Sequence, residues 1–201
     1  MIALIDYGIG NLRSVQKALS AVGADVSLTD EPDQILTADK VVLPGVGAFG
    51  DGMAGLISRQ LEGILQTINK QRTPLLGICL GMQLLFDSSN ELGEHKGLGF
   101  LPGKVIRFES NDLKIPQTGW NQVNTVNPTP LLHGLDPGCY AYFNHSFYCA
   151  PDLPADVLAT TEYGLEYASV VGRENIYGVQ FHPEKSQSVG LQILKNFVEL
   201  C

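Results

Sequence analysis

The chain has 201 residues and a formal net charge of −8, and 44% of its residues are apolar. A chain of this length buries about 70% of its unfolded surface, so we expect one domain over residues 1–201. The acidic balance argues against binding to nucleic acid or to an anionic membrane. No apolar run approaches the roughly 20 residues of a membrane span, and residues 1–6 read as a first strand without a basic leader.

The cysteines are scattered along the chain and form no Cys-x-x-Cys pair. They lie at positions Cys79, Cys139, Cys149 and Cys201. This spacing predicts neither a zinc site nor a disulfide framework. We therefore expect a chain without metal or cofactor in the reducing cytoplasm.

The first half of the chain alternates short apolar segments with amphipathic ones. Strands are predicted at residues 2–6, 26–28 and 41–43. Asn11 is placed to cap a helix whose apolar residues recur at helical spacing until Gly23. After a glycine-rich loop at residues 44–52, apolar spacing predicts one long helix that carries Met53, Leu56, Ile57, Leu61, Ile64, Leu65 and Ile68. The alternation predicts a parallel sheet with helices on both faces.

A further strand, after Pro74, ends in the pattern Gly77-x-Cys79-x-Gly81, and residues 82–86 suit a helix. This is the layout of a nucleophile elbow, in which a sharp strand-to-helix turn exposes the reactive atom. Glycines permit the crowded backbone, and the free N–H groups of a new helix favour a thiolate. A buried cysteine in an inert turn is the alternative.

The second half of the chain contains strand-like segments joined by short polar or Gly/Pro-rich links. They lie at residues 104–108, 121–126, 140–145, 157–161, 168–171 and 176–181. A closing helix presents Ile193, Leu194, Phe197 and Val198 on one face. The predicted fold is α/β, with an open, mostly parallel central sheet flanked by helices and additional antiparallel strands in the second half.

Gly45-x-Gly47-x-x-Gly50 matches a dinucleotide-binding fingerprint in form. It follows the third strand instead of the first, however, and no acidic residue ends a following strand about 20 positions later. A structural turn is one alternative. A loop that supplies backbone N–H groups to an oxyanion is another.

A thiol nucleophile needs a base, and the base needs a group that orients it. His95 is predicted in a solvated loop and His133 in a surface turn, whereas His145 fits a structural or a site-lining role. His182 ends a strand, and Glu184 lies two residues on, where an extended chain points both side chains the same way. This supplies a base and its carboxylate at the carboxyl end of a strand, the usual site edge of such sheets.

The two motifs together resemble those of the class I (triad) glutamine amidotransferases. They are Gly77-Ile-Cys79-Leu-Gly81-Met-Gln83 and Phe181-His182-Pro-Glu184. Other segments resemble the glutaminase subunits of imidazole glycerol phosphate synthases, namely residues 5–12 and 43–53, Gly119-Trp120-Asn121 and Phe143-Asn-His145-Ser146. The resemblance covers essentially the whole chain and implies a flavodoxin-like fold.

The resemblance implies that L-glutamine is hydrolysed to glutamate and ammonia through a γ-glutamyl thioester on Cys79. His182 would act as acid and base, and Glu184 would orient it. The N–H of Leu80 and a backbone N–H from Gly45–Val46–Gly47 would hold the oxyanion. The Gly45–Val46 peptide is expected to point its carbonyl inward at rest and to turn before catalysis. The glutamine pocket would comprise Gly47, Gln83, Ser146 and Phe147.

The resemblance also implies a heterodimer with a (β/α)8 cyclase, which uses the ammonia in histidine biosynthesis. The cyclase makes imidazole glycerol phosphate and aminoimidazole carboxamide ribotide. Asn11, Trp120 and Lys185 match positions at or near the cyclase interface, with a buried core aromatic as the alternative for Trp120. Three residues depart from the family pattern: Gln117, Asn144 and Phe147.

Other functions fit parts of the pattern. The same glutaminase chemistry could serve another synthase, such as an amidine-forming sugar enzyme. A cysteine hydrolase of the α/β type is disfavoured because its acid precedes the histidine in the chain. A non-catalytic binding module would carry an unreactive Cys79.

Overall fold

The computed structural model describes residues 1–109 and 113–201. The strands are β1 (Ile2–Ile5), β2 (Val26–Thr29), β3 (Lys40–Leu43), β4 (Leu75–Ile78), β5 (Phe86–Ser89), β6 (His95–Lys96), β7 (Leu101–Arg107), β8 (Gln117–Thr125), β9 (Cys139–His145), β10 (Phe147–Pro151), β11 (Val157–Glu162), β12 (Glu166–Arg173) and β13 (Ile176–Val179). The helices are α1 (Leu12–Ala21), α2 (Pro32–Leu36), α3 (Phe49–Ser58), α4 (Leu61–Gln71), α5 (Leu80–Leu84) and α6 (Gln187–Leu200). Short 3₁₀ turns occur at Pro130–Leu132, Pro154–Asp156 and Pro183–Lys185.

One sheet runs through the described residues in the order β2-β1-β3-β4-β13-β12-β10-β7-β5-β6. The strands from β2 to β13 pair in parallel, as do β5 and β7. The remaining pairs are antiparallel, and β11, β8 and β9 extend from β12 as a branch. The predicted fold class, a parallel centre with antiparallel additions in the second half, is confirmed.

The two faces of the sheet carry two hydrophobic cores. Ile2 and Leu4 of β1 pack in the core that holds apolar residues of α1 and α6, and Ala3 and Ile5 pack in the core beneath α2 to α5. Because both faces of β1 are buried, its sequence is a continuous apolar run and not an alternating one. The carboxyl ends of β4 and β13 therefore meet between two well-packed layers.

The prediction of one long helix after the glycine-rich loop is wrong, because the chain breaks into α3 and α4. Gln60 at the break adopts a left-handed φ of 59°. No glycine or proline at the break indicates it in the sequence. The helical spacing of apolar residues also continues across it, because both helices face the same core. The helix predicted through Phe86 ends at Leu84, since Phe86 already begins β5. The short elements α2, β6 and β10 were also not predicted.

His95 is not in a solvated loop as predicted, but forms part of β6 and is half-buried. Its ring covers Gly50, where an added Cβ would lie 2.6 Å from the His95 Cε1 atom. The last glycine of the fingerprint-like loop is thus required by side-chain packing. His133 is exposed in the turn after Pro130–Leu132.

Candidate active site

Cys79 occupies the sharp turn between β4 and α5. Its φ of 53° and ψ of −108° lie outside the regions that side chains normally adopt, a form of strain that clusters at functional sites. Its N–H donates to the carbonyl of Val179 at the end of β13, over 2.8 Å. The side chain is nearly buried, and the sulfur lies at the carboxyl edge of two neighbouring parallel strands.

The two glycines that flank Cys79 are required by contacts between backbone segments. A Cβ on Gly77 would lie 2.6 Å from the carbonyl oxygen of Gly81, and one on Gly81 would lie 1.8 Å from that of Leu43. Neither clash can be relieved by a side-chain rotation, because the obstructing atoms are backbone. The position of the cysteine is therefore set by the packing of β4, α5 and the end of β3.

We expect Gly81→Ala to lower the free energy of unfolding by about 3 kcal/mol, because the added methyl group forces the Leu43 backbone to move. Gly63→Ala is the matched control, since Gly63 is an exposed position in α4 with open space around it. That substitution should raise stability by up to about 1 kcal/mol through helix propensity. Urea denaturation of both variants measures the difference, and equal stabilities would contradict the account.

His182 and Glu184 form a buried hydrogen-bonded pair. The Nδ1 atom of His182 lies 3.0 Å from Oε1 of Glu184, and the two side chains are only 4% and 1% exposed. The geometric reason differs from the predicted one, since β13 ends at Val179 and the pair forms across the 3₁₀ turn Pro183–Lys185 instead of an extended chain. Because a carboxylate accepts, Nδ1 carries the proton and Nε2 is left for the other side of the ring.

The turn that carries this pair is anchored by Ser186. Its hydroxyl donates to the carbonyl of His182 over 2.7 Å and accepts the N–H of Tyr142 over 2.9 Å. The backbone of α6 also packs closely on the turn, because a Cβ on Gly190 would lie 1.9 Å from the Pro183 carbonyl oxygen. The imidazole is thus held by three elements, β9, the turn and α6.

The environment of His182 favours its charged form. Burial opposes the charge, but hydrogen bonds and opposite charges from Cys79 and Glu184 outweigh it and raise the pKa of His182 from 6.5 to about 10. An imidazolium beside the sulfur is therefore expected at neutral pH. This arrangement places a proton donor directly beside the sulfur of Cys79.

His145 is held in the opposite state. Burial lowers its pKa from 6.5 to about 4, so it is neutral at physiological pH. Its Nδ1 atom lies 2.7 Å from the carbonyl oxygen of Phe147, and Nε2 lies 3.3 Å from the hydroxyl of Tyr167. Tyr167 in turn hydrogen-bonds over 2.9 Å to buried Gln117, one of the three departures from the family pattern. His145 both lines the site and belongs to a buried polar network.

A cavity of about 250 Å³ opens beside Cys79 and His182. It is lined by the predicted residues Val46, Gly47, Leu80, Gln83, Ser146 and Phe147. Lys185, predicted at a partner interface, lines it too, as do Asn144 and His145, for which a site-lining role was one of two predicted alternatives. Pro116 and Glu91 also line it and were not predicted. The structure thus joins the elbow, the glycine-rich loop and the β9–β10 connection around one space.

Glu91 is a wall residue that sequence reasoning missed. Its carboxylate accepts the N–H of Phe49 over 2.7 Å, at the point where the glycine-rich loop enters α3. The residue lies in a polar stretch after β5, and no motif there distinguishes it from a solvated charge. A contact with a backbone amide 42 positions away is not visible in local sequence.

A carbonyl occupies the position next to the Leu80 N–H. Leu80 donates to the carbonyl oxygen of Gly45 over 3.4 Å, so the Gly45–Val46 peptide points its oxygen toward the elbow. The loop is fixed at its start by Tyr7, whose buried hydroxyl donates to the Pro44 carbonyl over 2.6 Å. Tyr7 also accounts for the absence of a side chain at position 45, because a Cβ on Gly45 would lie 2.4 Å from the phenolic oxygen.

Trp120 is 47% exposed, so the alternative of a buried core aromatic is wrong. It pairs across strands with Tyr142, with the ring centroids 6.1 Å apart, and Nζ of Lys185 lies 5.6 Å from the Tyr142 ring centroid. These three side chains form a surface beside the cavity. Asn11 precedes α1, and its carbonyl accepts the N–H groups of the first turn. Contrary to the prediction, its side chain makes no capping hydrogen bond.

Three further features bear on function. Within residues 1–109 and 113–201, no group of three or more His, Cys, Asp or Glu side chains is arranged to hold a metal ion. Across the same part of the chain, no helix combines the length and the apolar character needed to cross a membrane. The cysteines are all free.

Comparison with known proteins agrees with the geometry. The family model for class I glutamine amidotransferases matches residues 3–201. The chain is 49% identical to the imidazole glycerol phosphate synthase subunit HisH of Syntrophotalea carbinolica, over 100% of both chains. It is 51% identical to the subunit of the same name from Moorella thermoacetica, over 99% of this chain and 94% of that one.

Solved structures agree in fold. A crystal structure of a glutamine amidotransferase superposes with a TM-score of 0.77 at 17% identity, covering 99% of this chain and 98% of that one. The structure of PurLQS from Thermotoga maritima superposes with a TM-score of 0.74 at 19% identity, covering 98% and 95%. With the sequence matches, these findings confirm the resemblance seen in the motifs: the chain belongs to the class I glutamine amidotransferases and, within them, to the family of HisH subunits.

Proposed function

We propose that this chain is a single glutaminase domain that hydrolyses L-glutamine and delivers the ammonia to a cyclase subunit. The observation that carries the proposal is the pairing of a strained, nearly buried Cys79 with His182 and Glu184 at the mouth of a cavity. The arrangement provides a nucleophile, a proton carrier and a group that orients the carrier, as acyl transfer requires.

The reaction begins when the Cys79 thiolate attacks the side-chain amide carbon of glutamine. The tetrahedral intermediate collapses as His182 gives its proton to the leaving nitrogen, which departs as ammonia and leaves a γ-glutamyl thioester. His182, now neutral, takes a proton from water, and the resulting hydroxide cleaves the thioester to glutamate and free thiolate. Glu184 keeps the Nδ1 proton in place and stabilises the imidazolium in both steps.

The cavity offers groups that match the ends of a glutamine molecule. The carboxylate of Glu91 faces the space as an acceptor for the α-ammonium group. Gln83 engages both N–H groups of its amide within the protein, so its carbonyl oxygen is the atom left for the substrate. Gly47, Ser146 and Phe147 complete the wall.

The oxyanion site is proposed to be closed in this state. With the Gly45 carbonyl at the Leu80 N–H, an oxyanion would meet an acceptor where it needs a second donor. Rotation of the Gly45–Val46 peptide would withdraw the oxygen and present the Val46 N–H beside that of Leu80. The rotation changes ψ of Gly45, which has no Cβ to hinder it, and φ of Val46.

The partner is proposed to be the (β/α)8 cyclase of imidazole glycerol phosphate synthase, and the compartment the cytoplasm. The names of the HisH relatives support the first, and the free cysteines support the second. The exposed Trp120, with Tyr142 and Lys185, provides an aromatic and cationic surface for docking, with Asn11 also contributing. The same chemistry serving an amidine-forming sugar synthase is the alternative, and activation by one synthase and not the other separates them.

A γ-chloromethyl ketone analogue of glutamine tests the proposed nucleophile. We expect one adduct per chain, on Cys79, because the reagent places its ketone carbon where the amide carbon would lie and its chloromethyl carbon beside it, where the amide nitrogen would lie. Glutamine in excess should protect, and the other three cysteines should remain unlabelled by peptide mass mapping. Labelling spread over Cys139 and Cys201, or labelling that glutamine does not slow, would overturn the assignment.

A further inference from the structure

Gln180 is a buried amide that no step described so far uses. It lies just after β13, has no exposed surface, and its backbone N–H donates to the carbonyl of Ser169 over 2.9 Å. Burying a carboxamide is costly unless its polar atoms are satisfied. The partners of its side chain therefore indicate what it is for.

A chain of hydrogen bonds joins the cavity wall to the nucleophile through two amides. Nε2 of Gln83 donates to the carbonyl of Phe147 over 3.1 Å and to Oε1 of Gln180 over 3.1 Å. Nε2 of Gln180 then lies 3.8 Å from Sγ of Cys79, within range for a hydrogen bond to sulfur.

The direction of this chain is determined by its first acceptor. A backbone carbonyl only accepts, so Gln83 must turn its NH₂ group toward Phe147. The same NH₂ group also faces Gln180, so the side-chain oxygen of Gln180 must accept this hydrogen bond. The NH₂ group of Gln180 is then directed at the sulfur of Cys79. Reversing either amide would oppose two donors or two acceptors.

We propose that Gln180 is a further residue of the catalytic centre, a neutral donor that holds the Cys79 thiolate and aims it at the cavity. Hydrogen bonds to a charged form favour that form, and a donor on sulfur also restricts the rotation of the side chain. The inference rests on the proposed role of Cys79 as nucleophile. It adds a donor on the sulfur besides the imidazolium of His182.

Several titratable groups lie around this sulfur or along its cavity. Those that couple to Cys79 or line its cavity are His182, Glu184, Tyr7, Cys149, His145, Glu91 and Lys185. A substitution at Gln180 leaves all of them in place, so it isolates the contribution of the amide.

The test is the pH dependence of Cys79 alkylation by iodoacetamide, with peptide mapping to select this cysteine. Methionine matches glutamine in length but cannot donate, so Gln180→Met should move the midpoint of thiolate formation up by about one pH unit. In glutamine hydrolysis with the cyclase, kcat should fall by about tenfold with little change in KM. Asn196→Leu is the control, because Asn196 is a buried amide that donates to the carbonyls of Leu131 and His133 away from the site.

Gln83→Met provides a second variant should Gln180→Met fail to fold. It removes the amide that orients Gln180, so the midpoint should move in the same direction by a smaller amount. A midpoint unchanged in the folded variants, or moved equally by Asn196→Leu, would overturn the role of Gln180. A wild-type Cys79 that iodoacetamide does not alkylate at any pH would instead overturn the proposed nucleophile, since that measurement involves neither variant.

Discussion

Cys79→Ala is expected to lower glutamine hydrolysis by about 10⁴–10⁶-fold, because loss of a nucleophile removes the covalent route altogether. His182 would keep its hydrogen bond to Glu184 but would have no sulfur to pair with. What remains is catalysis by binding and by general-base attack of water. Glutamate release, measured in the presence of the cyclase subunit and its ribonucleotide ligand, reports the loss.

Cys139→Ala is the matched control for this experiment. Cys139 is also a free cysteine, half-buried at the start of β9, and it lies outside the cavity. This variant should hydrolyse glutamine at the wild-type rate. Should Cys79→Ala retain a tenth of the wild-type rate, covalent catalysis by this residue would be excluded.

Addition of the cyclase subunit with its ligand is expected to raise the rate of glutamine hydrolysis by about 10²–10³-fold. One oxyanion donor typically contributes a rate factor of this size, and the free chain has a carbonyl where that donor is needed. The effect should be in kcat, because turning the Gly45–Val46 peptide assists the transition state and not the bound substrate. Steady-state kinetics with and without the partner measure it.

Two substitutions at Val46 test the donor directly. Val46→Ala retains the backbone N–H and should be activated like the wild type. Val46→Pro lacks that N–H, so the partner should still bind but should not accelerate hydrolysis. Full activation of Val46→Pro, or high turnover of the free wild-type chain, would refute the gating proposal.

The parallel half of the fold could be predicted from sequence because its signals are local. Strands buried on both faces appear as short apolar runs, and Gly77 and Gly81 mark the elbow. The break at Gln60 was missed because a residue other than glycine adopts the left-handed conformation there. The strand β10 was missed because residues 147–151 mix polar, apolar and proline positions.

The signal for the catalytic pair is also local in sequence, since His182 and Glu184 are two residues apart. A turn and not a strand brings them together. Glu91 and Gln180 could not be found in the same way. Their significance depends on contacts with Phe49 and Cys79, 42 and 101 positions away. Nothing in the residues beside Glu91 distinguishes a cavity wall from an ordinary polar position. Gln180 directly precedes the Phe181-His182 motif, but the local sequence does not show that its side chain reaches Cys79.

The long hydrogen bond between Leu80 and Gly45 has a consequence for how the chain responds to a partner. At 3.4 Å it exceeds the usual 2.9–3.0 Å, so this hydrogen bond contributes little to holding the peptide in its resting orientation. If the two orientations form a two-state equilibrium, a hundredfold shift in population needs about 2.7 kcal/mol, which a few interface contacts supply. The slow hydrolysis expected of the free subunit would then measure how often the peptide turns unaided.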